Sequence, residues 1–400
     1  MTTTVNGVEP GLVGDFYNFE GLLSDEERKI LRKARTFLRD EIKPLVNEAW
    51  AKAEFPFELI DKFATSGLGG LAYDGYGDHK PAVTNMLSGM LAVELARLDP
   101  SVSVFFGVHN GLAGDSIYDG GNKEQRDRFL PAMTSFKKIG AFGLTEPLSG
   151  SDASGGLRTT AKREGDTWVL NGAKRWIGNA TFADYVVIYA RDLADNNVKG
   201  FVVEKGTPGF SPVKIENKVS LRTVQNAEIT LTNVRVPEAN RLQNINSFKD
   251  VAKILRFTRT AVSWMAVGVM VGAYEHALEY AKKREQFGRP IAKFQMIQDL
   301  LVKSLANITA SWGMVAQLAR QQDAGVFDDA QASLAKLYAT ARMREVVTWC
   351  REICGGNGIV LDYDVARYMA DSEAIYSFEG TYQMQTLIVG KAITGHSAFV

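Results

Sequence analysis

The chain has 400 residues, 46 lysines and arginines against 46 aspartates and glutamates, and a formal net charge of zero. No basic field points to nucleic acid and no acidic tail is present. Length and an ordinary globular composition allow two or three domains with large buried cores.

The N-terminal stretch MTTTVNGVEPGLVGDFYNFEG lacks a charged segment followed by an apolar run, so it does not read as a signal peptide. "SDEE" places Ser24 and Glu27 as a capping box. Apolar residues then recur at Leu31, Ala34, Leu38, Ile42 and Leu45, a helical stripe. "FPFELIDKFATSG" reads as a helix that stops at Gly67, and "AVTNMLSGMLAVELARLD" as one with few charges, buried on most sides. "GLGGLA" (67–72) has the form of a dinucleotide fingerprint, but it follows a helix rather than a strand, and a helix stop accounts for it.

From about residue 140 to 240 the texture changes to short β-rich runs with turn residues between them. "TWVLNGAKRWI" predicts a hairpin turn at Asn171-Gly172. Four to seven strands at this spacing predict a small sandwich or barrel. "GLTEPLSGSDASG" (143–155) opens this region with hydroxyls and small residues; it reads either as a loop that admits a large ligand or as a plain connection. In "RWIGN", Trp176 beside Gly178 could face a ring system or pack in the core.

Three long helical patterns follow from about residue 246, with apolar surface left over for a partner. The longest uncharged stretch among them, 260–274, is too short to span a bilayer. The two cysteines, Cys350 and Cys354, lie one helical turn apart with no third ligand nearby, so core packing is expected and no metal. No peroxisomal or lipidation signal closes the chain, and a reducing, cytoplasmic location is expected. In "SFEGTYQM", Glu379 sits among aromatics and glycine. It reads as an acid in the first turn of a helix or as a partly desolvated base.

"GLTEPLSGSDASG", "LNGAKRWIGN", "REQFGRPIAKFQ", "REICGGNGI" and "SFEGTYQMQTLIVGKAITG" occur in that order and spacing. Over nearly its whole length the chain resembles the acyl-CoA dehydrogenase/oxidase flavoproteins. "GKAITGHSAF" is similar to glutaryl-CoA dehydrogenases, whereas "KRWIGNATFAD" and "EGTYQMQTL" are closer to plant short-chain acyl-CoA oxidases. The resemblance implies a mostly α chain with a central β domain: an N-terminal helical domain (1–139), a middle β-barrel or sandwich (140–245) and a C-terminal four-helix bundle (246–400). It implies FAD as cofactor, an acyl-CoA substrate, a homotetramer and an electron-transfer flavoprotein as partner.

Carried onto this sequence, the family motifs assign Glu379 as the catalytic base. The alternative family position for a base is Thr258 here, which leaves Glu379 alone. Phe142, Leu144, Thr145, Gly150 and Ser151 would line the flavin, and Trp176, Ile177 and Gly178 would cover it. Arg284, Gln295, Glu352, Gly355 and Gly356 would hold the FAD of an adjacent subunit, and Thr381 that of its own site. Ser151, Arg259, Gly380, Ser103 and Phe105 would border the substrate. The implied chemistry is α-proton abstraction by Glu379 with β-hydride transfer to flavin N5. The thioester oxygen would be held by the Glu379 N–H and a ribityl hydroxyl. Ser103 stands where glutaryl-CoA dehydrogenases carry an arginine for the distal carboxylate, which argues against a dicarboxylyl substrate. Gly178 replaces a threonine common in the family, so an oxidase that passes electrons to oxygen stays open beside the dehydrogenase. A non-catalytic FAD- and CoA-binding protein is the reading from another class.

Overall fold

In the computed structural model, which describes residues 12–77, 79 and 82–399, helices come first. They are α1 (Asp25–Phe37), α2 (Lys43–Lys52), α3 (Glu58–Ser66), α4 (Asn85–Leu98), α5 (Pro100–Phe106), α6 (Gly114–Gly120) and α7 (Lys123–Thr134). The capping box forms at α1: Ser24 Oγ accepts the Glu27 N–H at 3.3 Å, and the Glu27 carboxylate accepts the Ser24 N–H at 3.1 Å. Leu31, Ala34, Leu38 and Ile42 are buried, and Leu45 is half-buried beside buried Val46. Gly67 ends α3 at φ 72°, so the glycine run is a helix stop. The nearly chargeless α4 is buried on most sides; its one buried acid, Glu94, is held by Arg35 and Arg97.

A seven-stranded curled sheet follows: β1 (Gly140–Gly143), β2 (Thr160–Glu164), β3 (Thr167–Gly178), β4 (Tyr185–Asp192), β5 (Val198–Glu204), β6 (Phe210–Lys214) and β7 (Asn226–Pro237). Its order is β1-β4-β2-β3-β7-β6, with β5 on β4. The hairpin turn expected at Asn171-Gly172 is not there. β3 runs through both residues, and its register shifts between Leu170 and Gly172. The turn is Gly165-Asp166, with Gly165 at φ 63°. Gly172 serves a close approach instead: a Cβ there would lie 2.6 Å from Thr159 Oγ1. Asn171 Oδ1 accepts the Asn233 N–H of β7 at 2.8 Å. Asn-Gly therefore marks a bulge.

The third region holds α8 (Phe248–Lys283), α9 (Gln295–Asp323), α10 (Asp329–Ile353), α11 (Val365–Ser377) and α12 (Tyr382–Thr394). A short hairpin, β8 (Glu285–Gln286) and β9 (Arg289–Pro290), joins α8 to α9. Among the described residues α8 is the one helix long and apolar enough, by composition, to cross a membrane; here it is mostly buried, packed on α4 and α10. The three regions meet at Asp371 of α11. Its carboxylate accepts Trp50 Nε1–H of α2 at 3.0 Å and the Leu221 N–H of the β6–β7 loop at 2.6 Å. Arg367, one turn earlier on α11, pairs with Asp99 and Asp364. Burial pushes the Asp371 carboxyl up to about 7, and the nearby Asp99 adds to this.

Candidate active site

Glu379 lies on the turn between α11 and α12. α11 ends at Ser377, and Thr381 caps α12 by accepting the Met384 N–H at 3.3 Å. Three residues must therefore reverse the chain, and two of them take left-handed geometry: Glu379 at φ 52° and Gly380 at φ 88°. For a glutamate this costs on the order of 1–2 kcal/mol, so the surroundings must hold it. They do so from α8 and α10. Thr258 Oγ1 donates to Glu379 Oε2 at 2.9 Å. Lys336 Nζ donates to the carbonyls of Tyr376 at 2.9 Å and Gly380 at 2.7 Å. Among the described residues, no acceptor takes the backbone N–H of Glu379, Gly380 or Thr381. Burial raises the Glu379 carboxyl above its ordinary value; the Thr258 bond and the charges of Lys336 and Arg259 offset part of that rise. Arg259, half-buried on α8, is also drawn to Asp329, with Nη1 at 3.6 Å from Oδ1.

A second strip is built where β1 leaves the sheet and β3 bulges. Phe142 and Leu144 are buried in the core, Phe142 packing on Tyr189 with ring centres 5.1 Å apart. A ligand at this strip would meet their backbone rather than their side chains. Thr145 is half-buried, and Gly150 and Ser151 are exposed. β3 shifts register between Lys174 and Ile177, and Trp176 takes φ 65°. The shift throws the indole outward, 51% exposed, while Ile177 points into the sheet core. Gly178 follows; a Cβ there would approach Val108 Cγ2 to 3.2 Å. An exposed flat indole beside a residue with no side chain fits a planar ring system such as a flavin. Lys174, fully buried, ties the two strands of this strip. Its Nζ donates to the Leu144 carbonyl at 3.1 Å and to Glu146 Oε1 at 2.8 Å, and the Arg175 N–H donates to the Thr145 carbonyl at 2.9 Å.

Arg284, Gln295, Glu352, Gly355 and Gly356 are all exposed, at the α8–α9 connection and the end of α10. Thr381 and Gly380 are half-buried next to Glu379. Two expectations need correction. Ser103 is 2% and Phe105 0% exposed; Phe105 packs among Phe55, Phe63 and Phe182. Neither side chain offers surface to a substrate, because α5 turns both into the N-terminal core. Sequence reasoning missed Lys174, Lys336 and Gln385, and saw in Thr258 only an absent acid. The available signal was a lone lysine among small and apolar residues in "ASLAKLYATA"; in "LNGAKRWIG" Lys174 is followed by Arg175 and carries no such signal.

Comparison with known proteins identifies the family. The acyl-CoA dehydrogenase N-terminal, middle and C-terminal domain models match residues 24–137, 141–234 and 248–394. An acyl-CoA dehydrogenase of Bacillus subtilis is 36% identical over 377 residues, covering 92% of this chain and 98% of the relative. A glutaryl-CoA dehydrogenase from Mycobacterium smegmatis, solved in complex with FADH2, superposes with TM-score 0.92 at 33% identity, over 96% of this chain and 99% of that one. Butyryl-CoA dehydrogenase from Megasphaera elsdenii superposes with TM-score 0.88 at 32% identity, over 93% and 98%. The chain therefore belongs to the acyl-CoA dehydrogenase family, FAD-dependent oxidoreductases that act on the CH–CH bond of acyl-CoA thioesters.

Proposed function

We propose that the protein converts a short straight or slightly branched acyl-CoA to its trans-2-enoyl-CoA, with Glu379 as the base. One observation carries this reading: a half-buried carboxylate held by Thr258 on a left-handed turn whose three amide N–H groups have no acceptor among the described residues. Glu379 takes the α-proton, the β-carbon gives up a hydride with its electron pair, and the Cα–Cβ double bond forms. When bound, FAD supplies the acceptor for that hydride. The Glu379 N–H is the chain's own donor to the thioester oxygen, and such a donor contributes about 3 kcal/mol to the developing enolate. Desolvation keeps the carboxyl pKa high enough for the base to meet a weakly acidic carbon.

Thr145, Gly150, Ser151, Trp176 and Gly178, with the backbone of Phe142, Leu144 and Ile177, would hold the flavin, and Thr381 would add to them. Arg259, Gly380 and Ser151 would face the substrate. Arg284, Gln295, Glu352, Gly355 and Gly356 would serve the FAD of a neighbouring subunit in a homotetramer. Their exposure supports this, as do the nearby exposed Phe287 (92%) and Met296 (82%). The domains would divide at 139/140 and 245/246. The butyryl-CoA dehydrogenase relative supports a short chain. Electrons would pass to an electron-transfer flavoprotein.

The test is anaerobic titration of the yellow protein with butyryl-CoA and a panel of other acyl-CoAs. Bleaching supports the proposal, and a protein that stays yellow across the panel overturns it. Glu379→Gln should keep FAD and lose bleaching by about 10²–10⁴-fold. Gly178 favours a second reading, acyl-CoA oxidase. Peroxide formed in air, measured against dye reduction, separates the two.

A further inference from the structure

Lys336 has no accessible surface, and the mechanism above gives it no part. It sits about two turns into α10, and its Nζ donates to two carbonyls that bracket Glu379: Tyr376, in the last turn of α11, and Gly380. Gln385, buried on α12, donates to the carbonyls of Glu379 and Gly380, both at 3.1 Å. In a trans peptide the N–H points opposite the C=O of the same plane. With the Glu379 and Gly380 carbonyls held inward, the N–H groups of Gly380 and Thr381 are turned away from Lys336. They and the Glu379 N–H are the amides without an acceptor among the described residues. The turn cannot hold itself, because its left-handed residues sit outside either helix ladder.

We propose that Lys336 is a positioning residue of the acyl-CoA site: by gripping the Tyr376 and Gly380 carbonyls it fixes the turn that aims the Glu379 carboxylate and the free amides at the thioester. The inference rests on Glu379 as base.

Among the described residues the ionisable and polar groups around it are few. From the α11–α12 turn comes Glu379, the carboxylate whose charge acts on Lys336. From α8, Thr258 and Arg259 reach the same carboxylate. α11 and α12 bring the phenols of Tyr376 and Tyr382, stacked 5.8 Å apart. On α10 itself Thr340 Oγ1 donates to the Lys336 carbonyl at 2.7 Å. Burial pushes the ammonium down to about 8, and Glu379 opposes that shift. The cation in turn holds the Glu379 carboxyl below the value burial alone would give.

Lys336→Met keeps the bulk and removes both donor and charge. The purified holoenzyme should retain its FAD, bleach with butyryl-CoA about 10²-fold more slowly, and show the acid limb of kcat/KM moved to higher pH. Lys336→Gln restores a donor without the charge, so it should recover part of the rate and keep the shifted limb. A lysine that only stabilises the fold gives a different result: lower Tm and FAD content, with the acid limb unmoved. That result overturns the proposal. If Lys336→Met does not fold, an unmoved limb in Lys336→Gln overturns it equally. Glu379→Gln separates the two levels. If it retains activity, the base assignment itself falls. If it is inactive while the Lys336 variants match the parent in rate and limb, only the positioning role falls.

Discussion

Replacing Thr258 by valine removes one hydroxyl and almost no volume. That hydroxyl has one proton and two acceptors: Glu379 Oε2 at 2.9 Å and the Leu255 carbonyl at 3.0 Å. When Glu379 is ionised, the proton goes to the carboxylate. When Glu379 is protonated, the hydroxyl is free to donate to the Leu255 carbonyl and to accept from the carboxyl O–H. The bond to the ionised acid is charge-assisted, worth about 1.5–3 kcal/mol, and the competing carbonyl places it at the lower end. About 1.5 kcal/mol is a little over one pH unit. Since the bond favours the ionised base, its loss raises the carboxyl pKa further, and Thr258→Val should move the acid limb of the bleaching rate up by about one pH unit. Above that limb the variant should react as fast as the parent or slightly faster, because the base is stronger. The assay is stopped-flow bleaching with saturating butyryl-CoA across pH, with Thr258→Ser, which keeps the hydroxyl, as control. A limb that does not move in Thr258→Val, or that moves equally in Thr258→Ser, would refute the reasoning.

Lys174→Met breaks a fully buried pair with Glu146 and should cost about 3–5 kcal/mol, read by denaturant unfolding; adding Glu146→Gln should recover part of the loss, since the stranded charge is then gone. Asp371 has a raised carboxyl, so the native state disfavours its charged form, and the protein should lose stability as pH rises from about 4 to about 7. Asp371→Asn keeps an acceptor for Trp50 and Leu221 and should flatten that loss, leaving the variant more stable than the parent at pH 8 and similar to it at pH 4 in thermal unfolding. Gly89→Ala places a Cβ 2.2 Å from the buried Trp264 ring and should destabilise by about 1–3 kcal/mol in the same unfolding assay.

Helical order was legible wherever one face of a helix alone is buried, as in α1, whose stripe and capping box both formed. The strand region was legible as a region, but its turn was not. Asn171-Gly172 carries the chemistry of a hairpin, but the chain has already turned at Gly165-Asp166, and the close approach of Thr159, just before β2, goes with a bulge at Gly172. Glu379 by itself read more readily as a helix-start acid than as a base, and the family resemblance reversed that order. Its left-handed φ and its bond to Thr258, 121 positions away, are properties of the packed molecule. Phe105 failed for the converse reason: α5 is buried on nearly all sides, so no periodicity says which neighbour a phenylalanine meets.

The two missed lysines follow from one constraint. A ligand site needs backbone that leaves the helix or strand ladder, and such backbone has carbonyls with no regular partner. Buried, each unpaired group costs about 1–3 kcal/mol. A neighbouring helix or strand has no spare N–H to offer, since its own ladder uses them all. A long side chain rooted in regular structure reaches across the gap. Lys336 does this from α10 for Tyr376 and Gly380, and Lys174 from β3 for Leu144. Desolvating the ammonium is the cost, and both lysines are pushed down to about 8. Each keeps one carboxylate nearby to oppose that shift, Glu379 for the first and Glu146 for the second. The carboxylates differ in what else they hold. Glu146 accepts the N–H groups of Arg158 and Thr159 and is locked, whereas among the described residues the Glu379 carboxylate accepts only from the Thr258 hydroxyl. Of the two acid–lysine pairs, the one with fewer bonds is the one proposed to exchange a proton.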